Sequence, residues 1–279
     1  MLSTADYMAQ PAVPSDQRVA YGPHADQFAD LYLPPGGGPH PAIILIHGGC
    51  WQAQYGLAPL GPLCAALRET GIAVWSLEYR RLGGGGGWPT TFQDVAAGAD
   101  ALRGVAADHG LDLDRVIAAG HSAGGHLALW LAARQRLPED SPLARPDPLP
   151  IAGVLALAGL VDLAEGAARG LCGGACLELV GGQGESLRAR YAEASPAALH
   201  PLAVRQRHIV GAEDTIVPPD YLQACVGRAA ATGDDVRLEV LPDAGHFELV
   251  TPDSHAWPHV RQAIVELLPI ADSQYKRNP

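Results

Sequence analysis

Lysine is nearly absent: the 279-residue chain has one, Lys276, near the C-terminus, and arginine supplies the other basic side chains. A P-loop needs Gly-Lys-Ser/Thr, so nucleotide hydrolysis by that route is excluded. A Schiff base would have to form on Lys276 in a polar tail, which sets aside pyridoxal and aldolase-type chemistry. Positive charge is scarce as a whole. The 19 Lys and Arg face 30 Asp and Glu, giving a formal charge of −11. That sign repels a phosphate backbone and an anionic membrane surface, so neither nucleic acid nor membrane is an expected partner.

Cysteine is also sparse. Five over this length form no disulfide framework. Cys172 and Cys176 are spaced like half a zinc site, but no second ligand pair follows, so two unrelated thiols and no metal are expected. Cys50 is expected as a free thiol. Long apolar runs are missing too: the uncharged stretch 31–67 is broken by prolines and glycines, and 148–161 is too short to span a bilayer. The N-terminus shows no basic region followed by an apolar one, so no signal peptide is expected and the location is read as cytoplasmic. What the chain does have is 48% apolar and only 18% charged residues, enough to bury a large core.

Short β-rich runs alternate with helical ones. Strands are predicted over 18–22, 27–33, 42–47, 72–79, 115–120, 151–158, 207–211 and 236–241. Helices are predicted over 57–69, 91–109, 123–136, 219–231 and 254–268. This alternation implies a mostly parallel sheet covered on both faces. It breaks once, over 160–203, a glycine-rich stretch read as a small insertion within a single domain spanning 1–279. The glycine run 83–87 fails the dinucleotide pattern, because Trp88 stands where the third glycine belongs.

Gly120-His121-Ser122-Ala123-Gly124 is a Gly-x-Ser-x-Gly sequence between a predicted strand and a predicted helix. Small residues on either side allow the tight turn that presents a serine Oγ at the sheet edge. Such a serine needs an acid and then a histidine later in the chain. His246, in Gly245-His246-Phe247 after the last strand, fits the base, with His255 and His259 as weaker candidates. Asp214, in Gly211-Ala212-Glu213-Asp214, fits the acid, with Asp162, Glu213 and Asp243 as competitors. Oxyanion donors are expected from the backbone N–H of Ala123 and of Gly49, with Cys50 next. His47, Gly48, Trp51, Trp88 and His121 are candidates for the pocket; His47 and His121 are expected to hold loops by hydrogen bonds.

His47-Gly48-Gly49-x-Trp51, Gly120-His121-Ser122-Ala123-Gly124-Gly125, Gly211-x-x-Asp214 and Gly245-His246-Phe247 together resemble an α/β-hydrolase. More narrowly they are similar to its esterase and arylformamidase-like (kynurenine formamidase-like) branch, as are Tyr79-Arg80-Arg81 and Trp88-Pro89-x-x-Phe92-x-Asp94. The resemblance implies an α/β-hydrolase fold: a mostly parallel sheet of about eight strands, helices on both faces and a small cap at 160–203. It also carries Ser122, Asp214 and His246 over as a catalytic triad. The expected activity is cleavage of short-chain or aryl carboxylic esters through an acyl-enzyme, with no metal or organic cofactor. The alternatives are an N-formyl amide, as in arylformamidase, or a peptide bond, as in prolyl-oligopeptidase-like relatives. A catalytically silent ligand-binding fold is disfavoured because every element of the triad is present. The expected partner is a small-molecule ester or amide; composition is compatible with a monomer or a homodimer.

Overall fold

The apolar run Ala42 to Ile46 has no solvent-facing position, and in the computed structural model, which describes residues 1–268, it is buried on both faces of a central sheet. The strands are β1 (Gln17–Ala20), β2 (Phe28–Tyr32), β3 (His40–Ile46), β4 (Ala73–Leu77), β5 (Leu111–His121), β6 (Gly153–Leu157), β7 (Arg205–Gly211) and β8 (Val236–Leu241). They form one sheet in the order β1-β2-β4-β3-β5-β6-β7-β8. From β4 to β8 every pairing is parallel. The opening pair is antiparallel, so the sheet is mixed at that edge. The edge strands β1 and β8 alternate or expose their side chains, while β4 and β6 are buried throughout and β2, β3 and β7 beyond their first residue; β5 is buried from Val116 onward.

The helices are α1 (Thr4–Met8), α2 (Gly61–Glu69), α3 (Thr90–Asp100), α4 (Arg103–Ala106), α5 (Ala123–Ala133), α6 (Leu163–Ala168), α7 (Ala175–Val180), α8 (Gly184–Ala194), α9 (Pro196–Leu199), α10 (Pro219–Ala231) and α11 (Trp257–Leu267). Both faces of the sheet are covered, and this is the α/β-hydrolase fold. α5 is apolar on all sides and every residue of it is buried, as a helix must be when it packs between the sheet and other helices.

The single helix predicted over 91–109 divides into α3 and α4 at a turn. β5 then begins at Leu111, ahead of the predicted start at Arg115. Leu111 and Asp112 pair with His40 and Pro41, and the register slips before Ala42 meets Val116, so a bulge extends the strand.

Residues 160–203 hold α6 to α9, lying in sequence between β6 and β7. Side chains of α5 fasten this segment to the body: His126 Nε2 donates to the Ala194 carbonyl at 2.9 Å and Trp130 Nε1 to the Glu193 carbonyl at 3.0 Å. Among the described residues no helix is long and apolar enough to cross a membrane. Lys276 lies outside them.

Candidate active site

β5 ends at His121, and Ser122 follows with φ 54° and ψ −118° before α5 begins at Ala123. That left-handed φ is strained for a non-glycine residue, and it projects the side chain off the sheet edge. Glycine is required on both sides. A Cβ on Gly120 would strike the Gly124 carbonyl, and one on Gly124 would strike the carbonyls of Ile46 and His47, because α5 starts against the end of β3. The Ser122 N–H donates to the Leu157 carbonyl at 2.8 Å, which ties the turn to β6.

His246 stands in the loop after β8. Its Nδ1 is 2.7 Å from Asp214 Oδ2, in the loop after β7. Asp214 Oδ1 accepts the N–H groups of Ile216 and Val217, both at 2.8 Å, so each carboxylate oxygen is engaged and the side chain is held in one orientation. No other described residue bonds His246 Nε2, and His246 and Ser122 line the same cavity. His121 Nε2 donates to the His246 carbonyl at 3.0 Å. Burial, with His246 beside it, lowers the His121 pKa well below the ordinary imidazole value, so this ring stays neutral and acts as a support.

The competing acids are elsewhere. Asp162 caps α6 by accepting the N–H groups of Ala164 and Glu165, and pairs with Arg228 at 3.1 Å. Glu213 and Asp243 are exposed. His255 bonds the Pro242 carbonyl and His259 pairs with Glu239, both outside the cavity.

The loop after β3 carries left-handed φ at three successive residues: 101° at Gly49, 50° at Cys50 and 55° at Trp51. The N–H groups of Gly49, Cys50 and Ala123 make no hydrogen bond with a described residue, which leaves them available to an anion. A buried clamp holds the loop. His47 Nε2 lies 2.7 Å from Glu78 Oε1, Glu78 Oε2 accepts the Leu57 N–H at 3.1 Å, and Arg81 pairs with the same carboxylate. The Tyr79 hydroxyl donates to the His47 carbonyl at 3.0 Å. Arg80 forms a two-pronged pair with Asp94, each N···O distance 2.7 Å, linking the end of β4 to α3.

Several expectations need correction. Cys50 is not a free thiol: it is disulfide-bonded to Cys172, with the Cα atoms 5.5 Å apart, and Cys176 is a separate buried thiol. The bond joins the loop after β3 to the 160–203 segment. Such a bond persists in an oxidising compartment and is reduced in a cytosol, so it and the cytoplasmic expectation are at odds. His47, Trp51 and Trp88 do not line the cavity. His47 serves the clamp; Trp51 is fully buried, edge-on to His126 at 5.3 Å; Trp88 packs on Phe92 at 5.8 Å. Gly48 and His121 do line it. The cavity is about 100 Å³.

Missing from the sequence reading were Glu78, the hub of the clamp, and Glu248. The latter is buried and accepts the Gly245 N–H at 2.9 Å, bracing the loop of His246. Neither residue belongs to a motif, and only its contacts reveal it.

Two further buried histidines add to His47 and His121 in resisting protonation, and so weaken the fold in acid. Burial pushes His126 down to about 4 and His208 to about 3, and neither ring nitrogen of His208 finds a partner among the described residues. In the unfolded chain both titrate near the ordinary value of about 6.5. Below that pH the unfolded state binds protons that the folded state refuses. Their stabilisation is therefore full above about pH 6.5 and is lost as pH falls toward 4 and 3. The melting temperature should drop by roughly several degrees between pH 7 and 5. The His126→Gln and His208→Gln variants should flatten that dependence; a wild-type melting temperature level across the interval contradicts it.

A family model, BD-FAE, matches residues 29–220. Among solved structures, a truncated carbohydrate esterase from gut microbiota superposes with TM-score 0.74 at 20% identity, over 91% of this chain and 99% of that one. Esterase B from Lactobacillus rhamnosis, inhibited by a tributyrin phosphonate, superposes with TM-score 0.76 at 23% identity, over 94% and 87%. A probable isoprenylcysteine alpha-carbonyl methylesterase from Arabidopsis thaliana is 31% identical over 124 residues, which is 44% of this chain. The matched stretch is about a quarter of the length of that relative and of its rice counterpart. With the family model aligned from β2 to the start of α10, across both the serine turn and the loop of Asp214, the chain belongs to the BD-FAE family.

Proposed function

We propose that the protein is a serine carboxylesterase for small esters, acting through an acyl-enzyme. One observation carries this reading: a serine on a strained strand-to-helix turn shares a cavity with an imidazole whose far nitrogen is fixed 2.7 Å from a buried carboxylate. Ser122 Oγ attacks the carbonyl carbon as His246 Nε2 takes its proton. Asp214 keeps the proton of the neutral ring on Nδ1 and stabilises the imidazolium that forms. Charge on the carbonyl oxygen is met by the N–H groups of Gly49 and Ala123, with Cys50 beside them. His246 then protonates the leaving alcohol, and water, activated by the same imidazole, releases the acid. The names of the Arabidopsis relative and of the structural neighbours, a methylesterase and esterases, support an ester as the bond cleaved.

The chain is read as one hydrolase domain with 160–203 as a small cap. A cavity of about 100 Å³ suits a small ester, with a short acyl group and a compact leaving group. The cap is rich in glycine and charge and lacks a long amphipathic apolar stripe of the kind a lipase lid opens on oil. A p-nitrophenyl ester series tests this. The ratio kcat/KM should peak between acetyl and butyryl and fall at least tenfold by ten carbons, with no jump at the micellar threshold. A maximum at long chains, or a sharp rise once emulsion forms, overturns the small-ester reading. An N-formyl arylamine in the same series tests the arylformamidase-like branch. Its turnover should be far slower than that of the acetyl ester, and the opposite ranking makes the protein a formamidase.

A further inference from the structure

Residues 1–16 run across the body to the mouth of the cavity, where Thr4, Tyr7 and Met8 of α1 form part of its wall. Local and long-range bonds fix this strap. Ser3 and Asp6 close a capping box around the first turn. The Leu2 N–H donates to Glu248 Oε1 at 2.5 Å, so the carboxylate that braces the His246 loop through Gly245 also holds the strap. Farther along, the Val13 carbonyl accepts the Tyr32 hydroxyl at 3.1 Å. Tyr7 is the buried residue of α1, 8% exposed. Its ring stacks on Phe247 at 5.1 Å and 17°, and Phe247 stands edge-on to the His246 ring, also at 5.1 Å. The Tyr7 centroid is 6.2 Å from that of His121. The Tyr7 hydroxyl has no hydrogen-bond partner among the described residues, so the ring is present for its flat apolar body.

The position of this aromatic wall determines what it touches. During acylation His246 Nε2 must hand its proton to the leaving oxygen, so the leaving group lies against the imidazole. The carbonyl oxygen points the other way, toward the amides of Gly49 and Ala123. Phe247 and Tyr7 thus flank the leaving group and not the oxyanion. We propose that Tyr7 is a specificity-determining residue that favours flat, apolar leaving alcohols, phenols above all, over branched alkyl ones. The proposal rests on the esterase reading.

Two acetates whose alcohols are close in acidity, phenyl acetate and hexafluoroisopropyl acetate, give the test. They share one acyl-enzyme, so deacylation is common to both and only leaving-group recognition differs. Tyr7→Leu keeps apolar bulk without the flat ring, and Tyr7→Phe keeps the ring without the hydroxyl. In Tyr7→Leu the phenyl-to-alkyl ratio of kcat/KM should fall roughly tenfold, the size of a lost aromatic contact with its buried area. Tyr7→Phe should retain the wild-type ratio, and the ratio of phenyl acetate to phenyl butyrate should stay constant in both variants. A leaving-group ratio unchanged in Tyr7→Leu overturns the proposal, as does a change confined to the acyl ratio, which would put Tyr7 on the acyl side. Wild-type protein inactive on all three esters would overturn the esterase reading itself, and the proposal with it.

Discussion

Ser122→Ala should reduce kcat on a short aryl ester by about 10⁶-fold while leaving the fold intact; loss of the nucleophile alone costs that much in serine triads, since the remaining groups act only through it. The fold should survive because the turn depends on the neighbouring glycines and on the Ser122 backbone bond to Leu157, none of which the substitution touches. Its left-handed φ is no worse for alanine than for serine. Thermal melting should therefore match the wild type. A variant that keeps more than about a hundredth of the wild-type rate removes Ser122 from the nucleophile's role.

Asp214→Asn should lower kcat by roughly 10⁴-fold. The cause is a conflict of donors. The substituted amide can keep its carbonyl oxygen on the N–H groups of Ile216 and Val217, which Asp214 Oδ1 accepts now. Its NH₂ then faces Nδ1 of His246, where a carboxylate oxygen stood. The imidazole answers by moving its proton to Nε2, and in that tautomer it cannot take the proton of Ser122. Asp162→Asn is the matched control, since asparagine caps a helix about as well as aspartate and α6 keeps its first turn. It should cost less than about tenfold. The reverse ranking would move the acid to the loop after β6.

The difference between what the sequence announces and what it conceals follows the range of the interactions. The interior strands are legible because each carries its own apolar pattern, and the serine turn is legible because Gly120, Ser122 and Gly124 form a local motif, although the atoms that demand Gly124 belong to the distant end of β3. The direction of β1 and β2 is not, because pairing partners leave no local mark. The Cys50–Cys172 bond spans 122 residues, and five cysteines give no hint of who pairs with whom. The parts around the core of the candidate site are concealed for the same reason. Trp51 and Trp88 look like pocket walls by proximity to the motifs, yet Trp51 is drawn into the core against His126 and Trp88 lies half-buried on Phe92. Glu78 and Glu248 are single carboxylates whose value lies in what they clamp. Tyr7 sits on a helix of five residues, too short to show any periodicity.

The central claim is that Ser122 is the activated nucleophile, and active-site phosphonylation tests it most directly. A fluorophosphonate reacts with a serine only where a base activates it and an oxyanion hole receives the phosphoryl oxygen. Mass mapping of the labelled protein should place one adduct on the peptide that contains Gly120-His121-Ser122-Ala123-Gly124. The adduct should be absent from Ser122→Ala and should form far more slowly in Asp214→Asn. An adduct on any other residue, or wild-type protein left unlabelled by excess reagent, would contradict the assignment of Ser122 and the esterase mechanism built on it.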